Sequence, residues 1–285
     1  MLVTLKEILN HAKLHRTAIG SFNTPNLESI LAVIDGATQM GEPVIIMHAQ
    51  VHEAMMPLAV IGPIMLEHAK AAKIPVCVHL DHGEDLDYIK KALELGFTSV
   101  MYDGSALDYD KNVANTLTAV AMAKKTGASV EGEIGTLGKR ELGDQQEDSA
   151  STSSAIYTNP EVAMQFVKAT GIDALACSFG TAHGLYLQKP KLDMTILDNI
   201  KAKTDIPLVM HGGSGVSEED YRTVIQKGVC KINYYTYMAK AGAEEVKRRL
   251  NTNPDTSVYY HDIAAWGYQG MRENVKTAIS VFAGK

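Results

Sequence analysis

Three histidine–glycine pairs, His82-Gly83, His183-Gly184 and His211-Gly212, each follow a short apolar run. Imidazole is a good zinc ligand, and a catalytic zinc centre needs three protein ligands with one position left open. Residues this far apart in sequence meet only if the elements carrying them converge. Two further features would serve chemistry beside a metal. Asp81 directly precedes His82, where a carboxylate can act as a general base. It can equally cap a helix or support a zinc-bound histidine. Glu133, after Glu131-Gly132, and Asp103 end two other apolar runs. They read as an alternate metal position or as solvated rim charges.

The elements that would position these residues are short strands alternating with amphipathic segments. Strands are expected over residues 18–22, 44–47, 76–80, 99–102, 129–132, 174–178, 208–211 and 231–233. Helical periodicity is clearest over 27–40, 55–72, 85–95, 111–126, 160–170 and 217–227. Gly41, Gly96, Gly127, Gly171 and Gly228 stand where left-handed C-caps belong, and Ser217 with Asp220 reads as an N-cap. Eight such units predict an α/β fold, a single TIM (β/α)8 barrel occupying residues 1–285 as one domain. An open doubly wound sheet would want a GxGxxG turn after an early strand, and the sequence has none. In a barrel, all three histidine pairs fall on the carboxyl-end mouth. There Gly212-Gly213-Ser214-Gly215 and the segment from Lys231-Ile232-Asn233 to Thr236 follow the seventh and eighth strands, a common location for phosphate binding. Residues 135–159 are polar and much longer than the ~2–6 residues usual for such a connection, which predicts a lid.

Composition excludes several classes. The formal net charge is −6 with no basic stripe, so nucleic acid is not an expected partner. No apolar run approaches the ~20 residues of a membrane span, so no membrane association is expected, and the N-terminus lacks the pattern of a signal peptide. Cys77, Cys177 and Cys230 all fall in predicted strands. Buried free thiols fit a reducing compartment and predict a cytoplasmic protein.

These residues, in this order, resemble the class II (zinc-dependent) ketose-bisphosphate aldolases. The resemblance runs from Ala18-Ile19-Gly20-Ser21-Phe22-Asn23 through His79-Leu80-Asp81-His82-Gly83 and Val130-Glu131-Gly132-Glu133-Ile134-Gly135. It continues through residues 179–186 and His211-Gly212-Gly213-Ser214-Gly215 to Lys231-Ile232-Asn233. It implies one catalytic Zn2+ per subunit, held by His82, His183 and His211, with Asp103 and Glu133 at an alternate metal position and room for a monovalent cation. Asp81 would exchange the proton of the C4 hydroxyl, and Glu141 in the long loop would serve C3. Gly184, Gly212, Ser214, Asn233 and Thr236 fall where the family binds the dihydroxyacetone phosphate half of a sugar phosphate substrate. The family generally forms homodimers or homotetramers.

The sequence departs from the family on the aldehyde side. Tyr235 stands where the fructose branch usually has Asp and the tagatose branch Ala. The second-strand segment that often offers Ser to a distal phosphate reads His48-Ala49-Gln50-Val51-His52, and a phosphate-gripping Arg near the C-terminus aligns with Tyr259-Tyr260-His261. Gln50, Tyr235 and His261 are therefore the candidate distal-substrate residues. The expected reaction is reversible cleavage of a ketose 1-phosphate or 1,6-bisphosphate to dihydroxyacetone phosphate and an aldehyde. A substrate with a different distal group and a non-catalytic barrel subunit are the alternatives. A metal-dependent hydrolase would more often show a His-x-His pair on its first strand. A Schiff-base aldolase would need a desolvated lysine, for which Lys231 is the strand-borne candidate.

Overall fold

The computed structural model describes residues 1–135, 157–182, 184, 190–252 and 257–285; Glu141 and His183 lie outside the described residues. Eight strands close into a parallel barrel in sequence order. They are β1 (Ile19–Asn23), β2 (Val44–Ala49), β3 (Val76–Gly83), β4 (Ser99–Tyr102), β5 (Ser129–Ile134), β6 (Ala174–Cys177), β7 (Leu208–Met210) and β8 (Val229–Asn233). Around and between them run α1 (Leu5–His15), α2 (Leu27–Met40), α3 (Leu58–Ala71), α4 (Leu86–Leu95), α5 (Tyr109–Thr126), α6 (Pro160–Thr170), α7 (Met194–Lys203), α8 (Glu218–Gln226), α9 (Thr236–Thr252) and α10 (Tyr260–Phe282). The expected TIM barrel is the observed fold.

Alternation along β3 shows how sequence sets direction. Val76, Val78 and Leu80 pack in the layer between barrel and helices, while Cys77 lies inside the barrel. The same parity turns His79 and Asp81 inward. Helix α1 plugs the amino end of the barrel. Its Leu5, Ile8, Leu9 and Ala12 share one apolar cluster with Ile19, Ile45, Met47, Cys77, Met101 and Val209. Val3 and Met1 hydrogen-bond the first residue of β3, Val76, which fixes the chain start there. The opposite, carboxyl end is left for polar side chains.

The differences from the sequence reading have local causes. β2, β3 and β5 run two or more residues past their apolar cores, because polar side chains facing the mouth do not interrupt the ladder. Pro57 caps α3, so that helix begins at Leu58, and Gln50–His52 forms a separate 3-10 turn. Helix α8 ends with Lys227 as its C-cap, one residue before Gly228. The other four glycines are left-handed caps, and Ser217 accepts the Asp220 N–H, as expected. All three cysteines are buried free thiols. Among the described residues, no helix is long and apolar enough to cross a membrane.

Candidate active site at the barrel mouth

The mouth is organised by the end of β3. Neighbouring residues on a strand point to opposite faces, yet ligand atoms of Asp81, His82 and His211 all lie within 4.8 Å of one another. The backbone explains this. His82 has φ 46°, in the left-handed region, and the register of β3 against β4 shifts between Leu80 and Gly83. A non-glycine residue there is strained by about 1–2 kcal/mol. The turn swings His82 back beside Asp81 and over His211, with ring centroids 4.6 Å apart. Gly83 completes it: a Cβ there would sit 2.8 Å from the carbonyl oxygen of Met101 on β4.

Each of these groups is held by polar partners. Asp81 is buried and accepts hydrogen bonds from Asn23 Nδ2 at 3.0 Å and Asn233 Nδ2 at 3.1 Å. The two asparagines end β1 and β8 and so clamp the carboxylate from both sides. His82 Nδ1 donates to Asp103 Oδ2 at 2.7 Å, while Ser105 donates to the other Asp103 oxygen. His211 Nε2 donates to Glu131 Oε1 at 2.8 Å, and its Nδ1 lies 3.6 Å from Glu133 Oε2. A carboxylate only accepts, so these contacts fix Nε2 of His82 and Nδ1 of His211 as the lone-pair nitrogens when the rings are neutral. His82, Asp103 and Glu133 form a second group within the same 4.8 Å limit. Glu131 and Glu133 are fully buried, so they are not solvated rim charges.

The electrostatics favour positive charge at this point. Burial alone would raise the Asp81 carboxyl, but His82, then Lys231 and His211, outweigh it and hold the group well below the usual carboxylate range. Burial alone would lower His82, yet Asp81, Asp103 and Glu133 push it up to about 10. Burial, followed by the nearby Asp103, raises Glu133 well above the usual range. Two imidazoles among converging carboxylates are the donor set that a divalent cation takes. The donors therefore fit such an ion.

The phosphate-side residues meet where the loops after β7 and β8 touch. Ser214 Oγ accepts the Tyr235 N–H at 3.0 Å, and Gly213 N–H donates to the Asn233 carbonyl at 3.0 Å. Tyr221 donates its hydroxyl hydrogen to the Gly213 carbonyl. Thr236 is the first residue of α9, so this loop pair sits at a helix N-terminus, which favours anions. Asn233 Oδ1 is buried with no hydrogen-bond partner among the described residues. Gly212 has φ 62°, and a Cβ there would lie 2.4 Å from the Ala182 carbonyl oxygen. The β7 loop thus rests directly on the segment that leads to His183. Gly184 also has positive φ.

The aldehyde-side candidates part company. Gln50 Oε1 accepts the N–H groups of Glu84 and Asp85 at 2.9 and 3.3 Å, clamping the 3-10 turn to the loop after β3. Tyr235 packs on His52, with ring centroids 5.6 Å apart. His261 is 80% exposed, and its described contacts are to Tyr259 and Asp262. Sequence reading missed Asn23, which only its place at the end of β1 could have flagged. It also missed His52, whose Nδ1 is buried with no hydrogen-bond partner among the described residues. Behind them, His48 Nε2 meets the Tyr88 hydroxyl at 2.9 Å, and Tyr88 donates to Glu53 at 2.6 Å. Lys231 is fully buried and paired with Glu131 at 2.9 Å, so it presents no accessible amine for imine formation.

Comparisons with known proteins place the chain in a family. A family model described as "Fructose-bisphosphate aldolase class-II" matches residues 3–285. The chain is 36% identical to a sulfofructosephosphate aldolase from Alkalicoccus urumqiensis over 277 residues, covering 97% of this chain and 95% of that protein. It is also 36% identical to the D-tagatose-1,6-bisphosphate aldolase subunit GatY from Klebsiella oxytoca over 260 residues, covering 91% and 90%. Among solved structures, the YdjI aldolase from Escherichia coli K12 superposes with a TM-score of 0.86 at 30% identity, covering 99% of this chain and 97% of that one. With a barrel mouth built from these residues and a family match along nearly its whole length, the chain belongs to the class II fructose-bisphosphate aldolase family and is an aldolase, a carbon–carbon lyase.

Proposed function

We propose that the enzyme reversibly cleaves a ketose 1-phosphate or 1,6-bisphosphate to dihydroxyacetone phosphate and an aldehyde, using zinc. The observation that carries this is the Asp81 carboxylate, clamped by Asn23 and Asn233 beside His82 and His211. His82, His211 and, by family resemblance, His183 would hold the ion, with Asp103 and Glu133 at an alternate position. Such an ion supplies electrophilic polarisation of the ketose carbonyl and stabilises negative charge on the departing enediolate.

The chain's own residues do the rest. Asp81, held ionised, takes the C4 hydroxyl proton as the C3–C4 bond breaks. Its two asparagine donors fix the acceptor oxygens. Gly184, Gly212, Ser214, Asn233 and Thr236 bind the C1-phosphate half, so that binding energy remote from the breaking bond orients it. Glu141 returns a proton to C3. Residues 135–159, of which 136–156 lie outside the described residues, would serve as a lid that excludes water during the step. By the same resemblance, the enzyme is a homodimer or homotetramer with a monovalent cation as an additional ligand, and its buried free thiols support a cytoplasmic, one-domain barrel.

The aldehyde side supports a substrate unlike fructose 1,6-bisphosphate at its distal end. Tyr235 packs against His52, Gln50 has its carbonyl engaged by backbone, and His261 stands exposed. Cleavage rates on matched ketose 1-phosphates and 1,6-bisphosphates test this. The 1-phosphates, or ketoses with another distal group, are expected to be the better substrates. A strong preference for fructose 1,6-bisphosphate would overturn the rebuilt-pocket reading while leaving the aldolase assignment intact.

A further inference from the structure

A charged pair crosses the barrel interior just below the mouth. Lys231 on β8 and Glu131 on β5 are both fully buried, with Lys231 Nζ 2.9 Å from Glu131 Oε2. These strands are not neighbours, so the pair spans the lumen. Their partners on the neighbouring strands are apolar: Met101 and Ala174 stand in register with Glu131, and Val209 with Lys231. Replacing a buried ion pair with well-packed apolar side chains is often neutral or stabilising. Fold stability is therefore a weak reason for this pair to be here.

The geometry gives a better one. The two oxygens of Glu131 serve different partners: Oε2 faces Lys231, and Oε1 accepts the Nε2–H of His211 at 2.8 Å. His79 Nε2 lies 3.7 Å from Oε2, and its Nδ1 meets Ser99 Oγ at 2.7 Å. We propose that Lys231 is a positioning residue for His211. By holding one oxygen of Glu131, it keeps the other aimed at Nε2, so that His211 presents Nδ1 to the mouth. Bonds of this type fix the tautomer and ring orientation of metal-binding histidines, and their loss typically costs about 10–100-fold in metal affinity. The proposal rests on His211 being a metal ligand.

Two substitutions separate this role from simple packing. In Glu131→Gln, Lys231 takes the amide oxygen, and the amide NH2 then faces His211 Nε2. That arrangement requires His211 to carry its hydrogen on Nδ1 instead. In the double variant Glu131→Gln with Lys231→Met, the amide oxygen is released to His211, and the NH2 can face His79. The readouts are the imidazole 15N signals of the metal-free protein, which report the tautomer, and zinc affinity by competition with a chromophoric chelator. We expect Glu131→Gln to reverse the His211 tautomer and weaken zinc about 10–100-fold, and the double variant to restore both to within about threefold. An unchanged tautomer and affinity in folded Glu131→Gln, or no restoration in the double variant, would overturn the proposal. Should Glu131→Gln not fold, Lys231→Met replaces it: a shifted His211 signal with weaker zinc supports the proposal, and unchanged values overturn it. Failure of the unaltered enzyme to bind zinc would instead count against the proposed function, because the tautomer signal is read without metal.

Discussion

Asp81→Asn separates proton transfer from structure. The native carboxylate accepts two hydrogen bonds, Oδ2 from Asn23 and Oδ1 from Asn233. An amide in its place keeps one acceptor and turns an NH2 toward one of those donors. Left unresolved, that clash of donors would cost about 1–3 kcal/mol. Rotation of one asparagine amide relieves it, and Asn233 has a buried Oδ1, without a hydrogen-bond partner among the described residues, to bring round. The fold should therefore lose no more than about 1 kcal/mol in urea titration. His82 and His211 keep their bonds to Asp103 and Glu131, so zinc stoichiometry should not change. Catalysis should suffer far more. Losing a positioned general base costs about 10²–10⁴-fold in rate, or about 3–5 kcal/mol of barrier. The assay is kcat for dihydroxyacetone phosphate release on the best ketose phosphate, with zinc content measured on the same sample. A zinc-replete Asp81→Asn enzyme within tenfold of the parent would refute Asp81 as the proton acceptor.

Other outcomes follow from the same contacts. Gly212→Ala should lower stability by about 1–3 kcal/mol, since its left-handed backbone disfavours a side chain and the Cβ would collide with Ala182; because Ala182 leads to His183, zinc affinity should fall as well, and urea titration with a chelator competition reads both. Burial holds His48 down to about 4, against 6.5 when unfolded. Between those values the unfolded chain binds more protons, so stability should fall as pH drops from 6.5 toward 4, by up to about 3 kcal/mol. His48→Gln should flatten that part of the stability–pH curve, and an unchanged slope would refute the assignment. Tyr88→Phe, which removes the hydroxyl between His48 and Glu53, should cost about 1–3 kcal/mol in the same measurement. Tyr235→Ala should change the ranking of ketose substrates by distal group while leaving zinc content unaltered, and an unchanged ranking would remove Tyr235 from the specificity pocket.

The barrel was legible because each strand is a short apolar run closed by polar residues, and most helices end on a glycine or begin at a capping side chain. What the sequence could not give is how far each ladder runs. Apolar periodicity stops at Leu80 on β3, but the strand continues to Gly83 through a register shift. That shift, with His82 in the left-handed region, is what brings Asp81 and His82 to one side. No periodicity predicts it. The histidine–glycine pairs flagged the mouth, since a glycine after a turning strand end is a local signal. Asn23, His52 and the Glu131–Lys231 bridge carry no such signal: their partners lie on strands or loops distant in sequence, and only the assembled sheet brings them together. Gln50 and His261 show the converse. Their positions in the chain suggested a shared pocket, whereas Gln50 has its side-chain carbonyl on backbone and His261 stands on the exposed first turn of α10.

Metal-dependent aldol cleavage at this barrel mouth is tested most directly by dihydroxyacetone phosphate release from a panel of ketose 1-phosphates and 1,6-bisphosphates, with and without a chelator. At least one ketose should release dihydroxyacetone phosphate, with release abolished by the chelator and restored by zinc. Release that survives complete removal of metal, or no release from any ketose by folded, zinc-loaded enzyme, would contradict it.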